Sequence, residues 1–491
     1  MHPNSGQCAL ITPGDFCVKQ HASVHALPAE LLTIVFHLVL DGTFCIAPQT
    51  IGRTGPWALA QVCRVWRELV HNEAGLWMAF YFAYAPHELW RPHYRGLQTA
   101  LQSVLRLSRH APLDIIFPSR QDISELLLYD LLADASRWRS VKFVGITDDL
   151  RPLRKVARDV SLSPDKIPFE RLETVEFKME SILDLEVMEA FRTARNLKHL
   201  RLYGYSGQSM SNTVSLVDFP WPQLTHLSIN TDFSIITYRL LESCVNLETF
   251  HETSHKLSWF SGHAMLPILV HPHIRSLHAT DCQLLTLLAC PRLEHFSFRA
   301  STKCAQEIAE FVRRSASPAL CPPTSLEIWL TPHLTPSPSS FVPLLSPFAA
   351  WPITHLKIDI RARETVFFKM CSFLAGMPEV LPFLECLGAR MDFRRTWESG
   401  FFEAKEKASV VKAVAALHDR ASARRLRRFS VEVLVCDAHE GWLGQEPMTV
   451  VCRRFFSDLE KELPLGLEFD GVTTYDASSL GDSDDFTTVY G

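Results

Sequence analysis

The hexapeptide "LKHLRL" (197–202) has leucine at its first, fourth and sixth positions. The last two leucines alternate with a polar residue, which is the period of a strand with one buried face. The same L-x-x-L-x-L frame recurs on both sides as "LETVEF" (172–177), "LTHLSI" (224–229), "LETFHE" (247–252), "IRSLHA" (274–279), "LEHFSF" (293–298) and "ITHLKI" (353–358). Looser copies are "WRSVKF" (138–143), "TSLEIWL" (324–330) and "LECLGA" (384–389). Start-to-start steps over the first six are 25, 27, 23, 27 and 19 residues. Helix-compatible stretches such as "ILDLEVMEAFRTARN" and "YRLLESCVN" lie between them, and Pro291 leads into one of the strands.

One such unit cannot bury its apolar residues alone, whereas stacked neighbours bury them jointly. The period therefore predicts an α/β chain whose residues 138–470 form an irregular leucine-rich-repeat-like solenoid with a curved parallel sheet. An ordinary α/β domain with similar strands is the alternative. The asparagine or cysteine expected after each strand is missing from most units. The residue between the last two apolar positions points away from the core. These residues are Glu176, Arg201, Ser228, a Glu or His near residue 251, His278, Ser297 and Lys357. In a solenoid they line the concave face, so they are the candidate substrate-binding residues.

Two stretches interrupt the array. "LTPHLTPSPSSFVPLLSP" (330–347) is rich in Pro and Ser and reads as an exposed loop. The tail 471–491 has four Asp and no Lys or Arg, and reads as disordered. Before it, "LRRFSVEVLV" (426–435) reads as a closing strand.

The 491 residues are too many for one compact domain. With 47% hydrophobic and 21% charged residues and a net charge of -5, the chain has a globular composition without a basic footprint for nucleic acid. No apolar run reaches the roughly 18 residues of a membrane span. Residues 1–26 show no periodicity and read as a flexible leader without a secretory signal. The 13 cysteines are scattered and no CxxC pair occurs, which favours free thiols in the cytoplasm or nucleus over a disulfide framework or a zinc site.

Upstream of the repeats the period becomes helical. "LPAELLTIVFHLVL" (27–40) reads as a helix entered through Pro28 at its first position, with Glu30 in the first turn. Asp41–Pro56 reads as a loop. A second helix, Trp57 to His71, sets Leu59, Val62, Cys63, Trp66, Leu69 and Val70 on one face. Arg64 and Arg67 lie off that stripe. A third helix covers roughly Leu97–His110 and leads through Pro112 into the strand "LDIIF". Residues 81–137 then form a helical linker with a first repeat-like strand.

Phosphate loops, dinucleotide fingerprints, nucleophile elbows and HExxH are all missing from the sequence. His251 and His255 stand four apart without an acidic partner at a diagnostic spacing, so no metal site is expected. Arg424, Arg425, Arg427 and Arg428 read as a solvated face beside a strand, with a nuclear-import or anion-binding patch as the alternative. No catalysis and no cofactor are expected.

"LPAELLTIVF", then "LAQVCRVWRELV", then "LW" resembles the F-box motif over about fifty residues. Leu27, Pro28, Glu30, Leu31, Leu32, Ile34 and Phe36 match its first block. Leu59, Val62, Cys63, Trp66, Arg67 and Leu69 match its second, and Leu76 and Trp77 close it. An F-box followed by degenerate leucine-rich repeats, with "APLDIIF" after the third helix, is similar to the F-box families expanded in mushroom-forming fungi. The resemblance implies a three-helix module over 27–80 that docks on a Skp-family adaptor and, through it, a cullin–RING (SCF) ubiquitin ligase. It also implies a repeat domain that holds a protein substrate. Leu27, Pro28, Leu31, Leu32, Ile34, Phe36, Arg64 and Arg67 would then face the adaptor. Leu59, Val62, Cys63, Trp66, Leu69 and Trp77 would form the module's core. The chain would be a non-catalytic subunit, monomeric on its own, with no nucleic-acid or membrane partner. The 41–56 link is longer than in a compact F-box, an insertion that loop entropy tolerates. The competing expectation is a repeat scaffold that binds proteins independently of any ligase.

Overall fold

The structure is a computed structural model. It describes residues 27–40, 42–47, 51–82, 94–119, 122–145, 150–162, 168–179, 185–204, 219–230, 235–253, 266–280, 282–300, 304–316, 323–330, 338–360, 426–435 and 467–476, with parts of 369–392, 408–419 and 457–463. The expected leader, 1–26, lies outside them. The chain divides into two compact units, Met1–Ala111 and Pro112–Gly491. The second unit begins within 81–137, the segment read as a helical linker with a first repeat-like strand.

In the first unit α1 spans Ala29–Val39. Pro28 is not inside the helix as expected but one residue before it, and its carbonyl accepts from Leu32 N–H at 3.0 Å. The expected loop after α1 contains a strand, β1 (Phe44–Ile46), which pairs in parallel with β2 (Ala79–Phe82). The expected single helix from Trp57 to His71 is two, α2 (Gly55–Val62) and α3 (Arg64–Asn72). Between them Cys63 is extended (φ -159°, ψ 173°), and its Sγ accepts the Trp66 N–H at 3.4 Å, acting as the N-cap of α3. Gly55 has φ +60°, and a Cβ there would stand 2.6 Å from Phe44, so the start of α2 requires glycine. The third helix, α4 (Tyr94–Leu107), buries Leu97, Ala100, Leu101 and Val104, spaced i, i+3, i+4, i+7.

The second unit is built on a large curved parallel sheet. Its strands are β3 (Leu113–Ser119), β4 (Trp138–Gly145), β5 (Thr174–Met179), β6 (His199–Gly204), β7 (His226–Asn230) and β8 (Thr249–Glu252). A two-residue strand, β9 (Leu269–Val270), precedes β10 (Ser276–Ala279) and pairs with β11 (Leu288–Ala289) away from the main sheet. The main sheet continues with β12 (His295–Ala300), β13 (Ser325–Leu330), β14 (His355–Ile360), β15 (Cys386–Asp392), β16 (Arg428–Val435) and β17 (Glu468–Asp476). Spatial order follows chain order, as a solenoid requires.

Register ties the repeats together. Val175, Leu200, Leu227, Phe250, Leu277, Phe296, Leu326, Leu356, Leu387 and Phe429 are successive partners, and all are buried. From β5 to β15, one carbonyl before each main-sheet strand accepts two amides of the next unit. Lys198 and His199 donate to Glu173, Thr225 and His226 to Lys198, Glu248 and Thr249 to Thr225, and Arg275 and Ser276 to Glu248. The same staircase continues through Arg275, Glu294, Thr324, Thr354 and Glu385. Units of unequal length thus stay in step because these backbone groups are paired locally.

Three expectations fail at the C-terminal end. The Pro/Ser-rich stretch is not all loop: Pro338–Leu345 is a helix, and Ser346–Ala350 a 3-10 turn. Its Phe341, Leu344, Leu345 and Phe348 fall on one buried face, which offsets its poor helix formers. The strand over 426–435 does not close the sheet, because β17 pairs beyond it. The segment read as a disordered tail gives its first residues, 471–476, to β17, and the rest lies outside the described residues.

Candidate protein-binding surfaces

The first surface is α1 itself. Leu32 and Phe36, four apart, are its buried pair, and the Phe36 ring lies 4.8 Å from that of Trp66 on α3. Leu31, Ile34, Val35 and Leu38 carry the i, i+3, i+4, i+7 pattern of a core face, yet they are 47%, 55%, 39% and 71% exposed. Leu27, Pro28 and Val39 are exposed beside them. The expected adaptor set is therefore corrected: Leu32 and Phe36 anchor the helix and cannot also face a partner, whereas Val35 and Leu38 join the surface. A helix apolar on both faces has one side too many for its own unit.

The expected core changes as well. Trp77 is fully buried, its Nε1 donates to the Val70 carbonyl at 2.8 Å, and its ring lies 5.5 Å from Trp57 and 6.1 Å from Phe44. Val62 is 57% exposed and is not core, because the break at Cys63 ends α2 just after it. Leu59, Cys63, Trp66 and Leu69 are half-buried. Arg67 is a brace: its Nε donates to the Ala60 carbonyl at 3.0 Å, tying α3 to α2. Arg64 stands in solvent, paired with Glu68 at 2.8 Å.

The second surface is the polar side of the main sheet. Register places Lys142, Glu176, Arg201, Ser228, His251, His278, Ser297, Glu327 and Lys357 in one row. The six residues expected to line this face, Glu176, Arg201, Ser228, His278, Ser297 and Lys357, do share it. Three of them are buried, not exposed: Glu176, Ser228 and His278. Strands about 4.8 Å apart let long neighbours close over shorter ones. Glu176 takes Lys142 at 2.5 Å and Arg201 at 3.7 Å, and the Tyr203 hydroxyl lies 3.3 Å from Ser228 Oγ. The His278 ring packs between those of His251 (4.1 Å) and Trp329 (4.5 Å).

A relay crosses three strands: His278 Nδ1 lies 2.8 Å from Ser297 Oγ, which donates to Glu327 Oε2 at 3.2 Å. Desolvation pushes the Glu327 carboxyl above its ordinary range, against the pull of Lys357. Further on, Lys357 reaches Glu432 at 3.3 Å and Arg390 approaches Asp359 at 3.9 Å.

Burial also lowers three imidazoles on this side of the sheet. His199 and His226 meet edge to face with ring centres 4.3 Å apart and are pushed below the usual histidine value by desolvation, with the Arg201 charge adding to it. His251 is lowered to about 4, again by desolvation first and Arg201 second. His199, His226, Tyr203, Trp329, Asp359 and Arg390 were missed in the sequence. The strand period marks them, because they lie two residues before or after the x position, on the same side of the sheet.

Among the described residues no three His, Cys, Asp or Glu side chains gather as a metal site, and His255 lies outside those residues. No described helix is long and apolar enough to cross a membrane. No protein-family model matches the chain, and no curated protein matches it.

Proposed function

We propose that the chain is the substrate-recognition subunit of an SCF-type ubiquitin ligase. In this reading residues 27–80 are an F-box that docks on a Skp-family adaptor, and the second unit is an irregular leucine-rich-repeat domain whose polar face holds a protein substrate. The observation that carries it is the exposed apolar stripe Leu31, Ile34, Val35 and Leu38 on α1. An apolar helix face left in solvent is the form of a helix that lies in a partner's groove. No step of bond chemistry is needed. Holding a substrate near a ubiquitin-charged enzyme raises its effective concentration, and two binding surfaces on one chain provide that link. The cytoplasm and nucleus are the proposed compartments.

Co-purification of the full chain with a Skp-type adaptor tests this. Leu31→Asp with Ile34→Asp leaves the Leu32–Phe36 anchor intact and is expected to weaken capture by about 30-fold or more, the loss typical of two interface anchors. Failure of the intact chain to capture the adaptor, or undiminished capture by the double variant, would overturn the reading.

A further inference from the structure

Across β4–β8 the polar face is layered by charge. The Glu176 side chain is 8% exposed, whereas Lys142 and Arg201, the two cations that share it, are 26% and 35% exposed. One carboxylate at the base thus meets two cations above it. Lys142 holds it closely at 2.5 Å, and Arg201 only at 3.7 Å. The charge turned outward at Arg201 is positive, in a chain whose net charge is -5. Hydrogen-bonding groups adjoin it. Ser228, its register partner on β7, pairs with Tyr203 at 3.3 Å. His251, the next in the row, has a buried Nε2 without a hydrogen bond.

We propose that this part of the face receives an anionic side-chain group of a bound protein segment, with Arg201 making the charged contact and Lys142 adding to the positive charge beside it. The inference rests on the reading of the sheet face as the substrate-holding surface. An Asp or Glu carboxylate and a phosphorylated side chain share the required chemistry. A planar guanidinium suits either, and charge-assisted contacts of this kind are the stronger class of hydrogen bond.

The site is also proton-linked. Desolvation, with the Arg201 charge adding to it, lowers His199, His226 and His251 below the usual histidine value. The other groups facing them are Glu173, Lys198 and Thr174 at His199, Thr225 and Glu248 at His226, and His278 at His251. A bound anion favours the charged imidazoles, so binding takes up protons and tightens as pH falls.

Fluorescence anisotropy of the full chain with a labelled hexaglutamate peptide provides the test, with hexalysine as its opposite. Arg201→Ala is expected to weaken hexaglutamate binding about tenfold, Arg201→Lys to restore part of it, and Arg239→Ala, an exposed arginine on the helix Ile235–Ser243, to change nothing. Affinity is expected to rise as pH falls from about 6.5 toward 5, a range in which the glutamates stay mostly ionised. A phosphoserine peptide run alongside identifies the preferred source of the anion. Equal binding by Arg201→Ala in a sample with an unchanged melting curve, or equal affinity for hexalysine, overturns the proposal. Adaptor capture measured on the same samples keeps the two ideas apart: loss of capture with retained Arg201-dependent binding removes the ligase reading and leaves this site standing.

Discussion

His251 shows how far one residue departs from what its position in the sequence suggests. As one of two histidines four apart it resembled a weak metal pair, and as an x position it was due to be exposed. The sheet instead packs it against His278 and under the field of Arg201, two effects that act between strands and leave no local trace. The pH consequence has a definite sign. An imidazole lowered from 6.5 to about 4 stabilises the folded state fully above pH 6.5, and that stability is lost as pH falls toward 4. The size is about 3 kcal/mol for a shift of that order. His251→Phe keeps a ring against His278 and cannot titrate. Denaturant unfolding at pH 7 and at pH 4.5 should therefore show a smaller acid loss for the variant than for the native chain. Some slope should remain, because His199 and His226 are lowered in the same direction. An unchanged acid slope would show that His251 does not carry the effect.

At the scale of elements, periodicity found the repeat strands and missed what interrupts a period. The apolar spacing from Leu59 to Val70 is continuous through Cys63, so it gave no sign that the backbone turns extended there. The signal was chemical: a small polarisable side chain three residues before Trp66, placed to accept its amide. Likewise Pro and Ser marked 330–347 as loop, while Phe341, Leu344, Leu345 and Phe348 already held the helical spacing that prevailed. The opposite happened on α1, where a helix was legible but its two apolar faces were not told apart. Only packing shows that Leu32 and Phe36 are inside and Leu31 and Ile34 outside. The cap at Cys63 can be tested directly. Sulfur is a weak acceptor, whereas a serine oxygen in the same place is a preferred N-cap. Cys63→Ser is expected to stabilise the first unit or leave it unchanged, and Cys63→Ala to destabilise it by about 0.5–1 kcal/mol. Thermal melts of the two variants reversing that order would show that Cys63 is not a cap.

At the scale of the whole molecule, the staircase of shared carbonyls and the row of buried residues both run from one unit to the next between β5 and β16. Stability in such an array is a sum of local units and nearest-neighbour interfaces. The uneven repeat lengths were legible in the sequence as uneven spacing, but the common register was not, because it depends on backbone groups that every residue carries. Damage should therefore stay near its source. Leu227 sits in the buried row between Leu200 and Phe250, and Leu227→Ala is expected to cost about 2–5 kcal/mol locally. Hydrogen exchange followed by mass spectrometry should show peptides covering β6, β7 and β8 losing protection first. Peptides from β14 should follow to a lesser degree. Peptides from α3 and α4, in the other compact unit, should exchange at the native rate. Equal loss of protection in β6, β14 and α4 would mean that the chain unfolds as one cooperative body, and the nearest-neighbour description would fail.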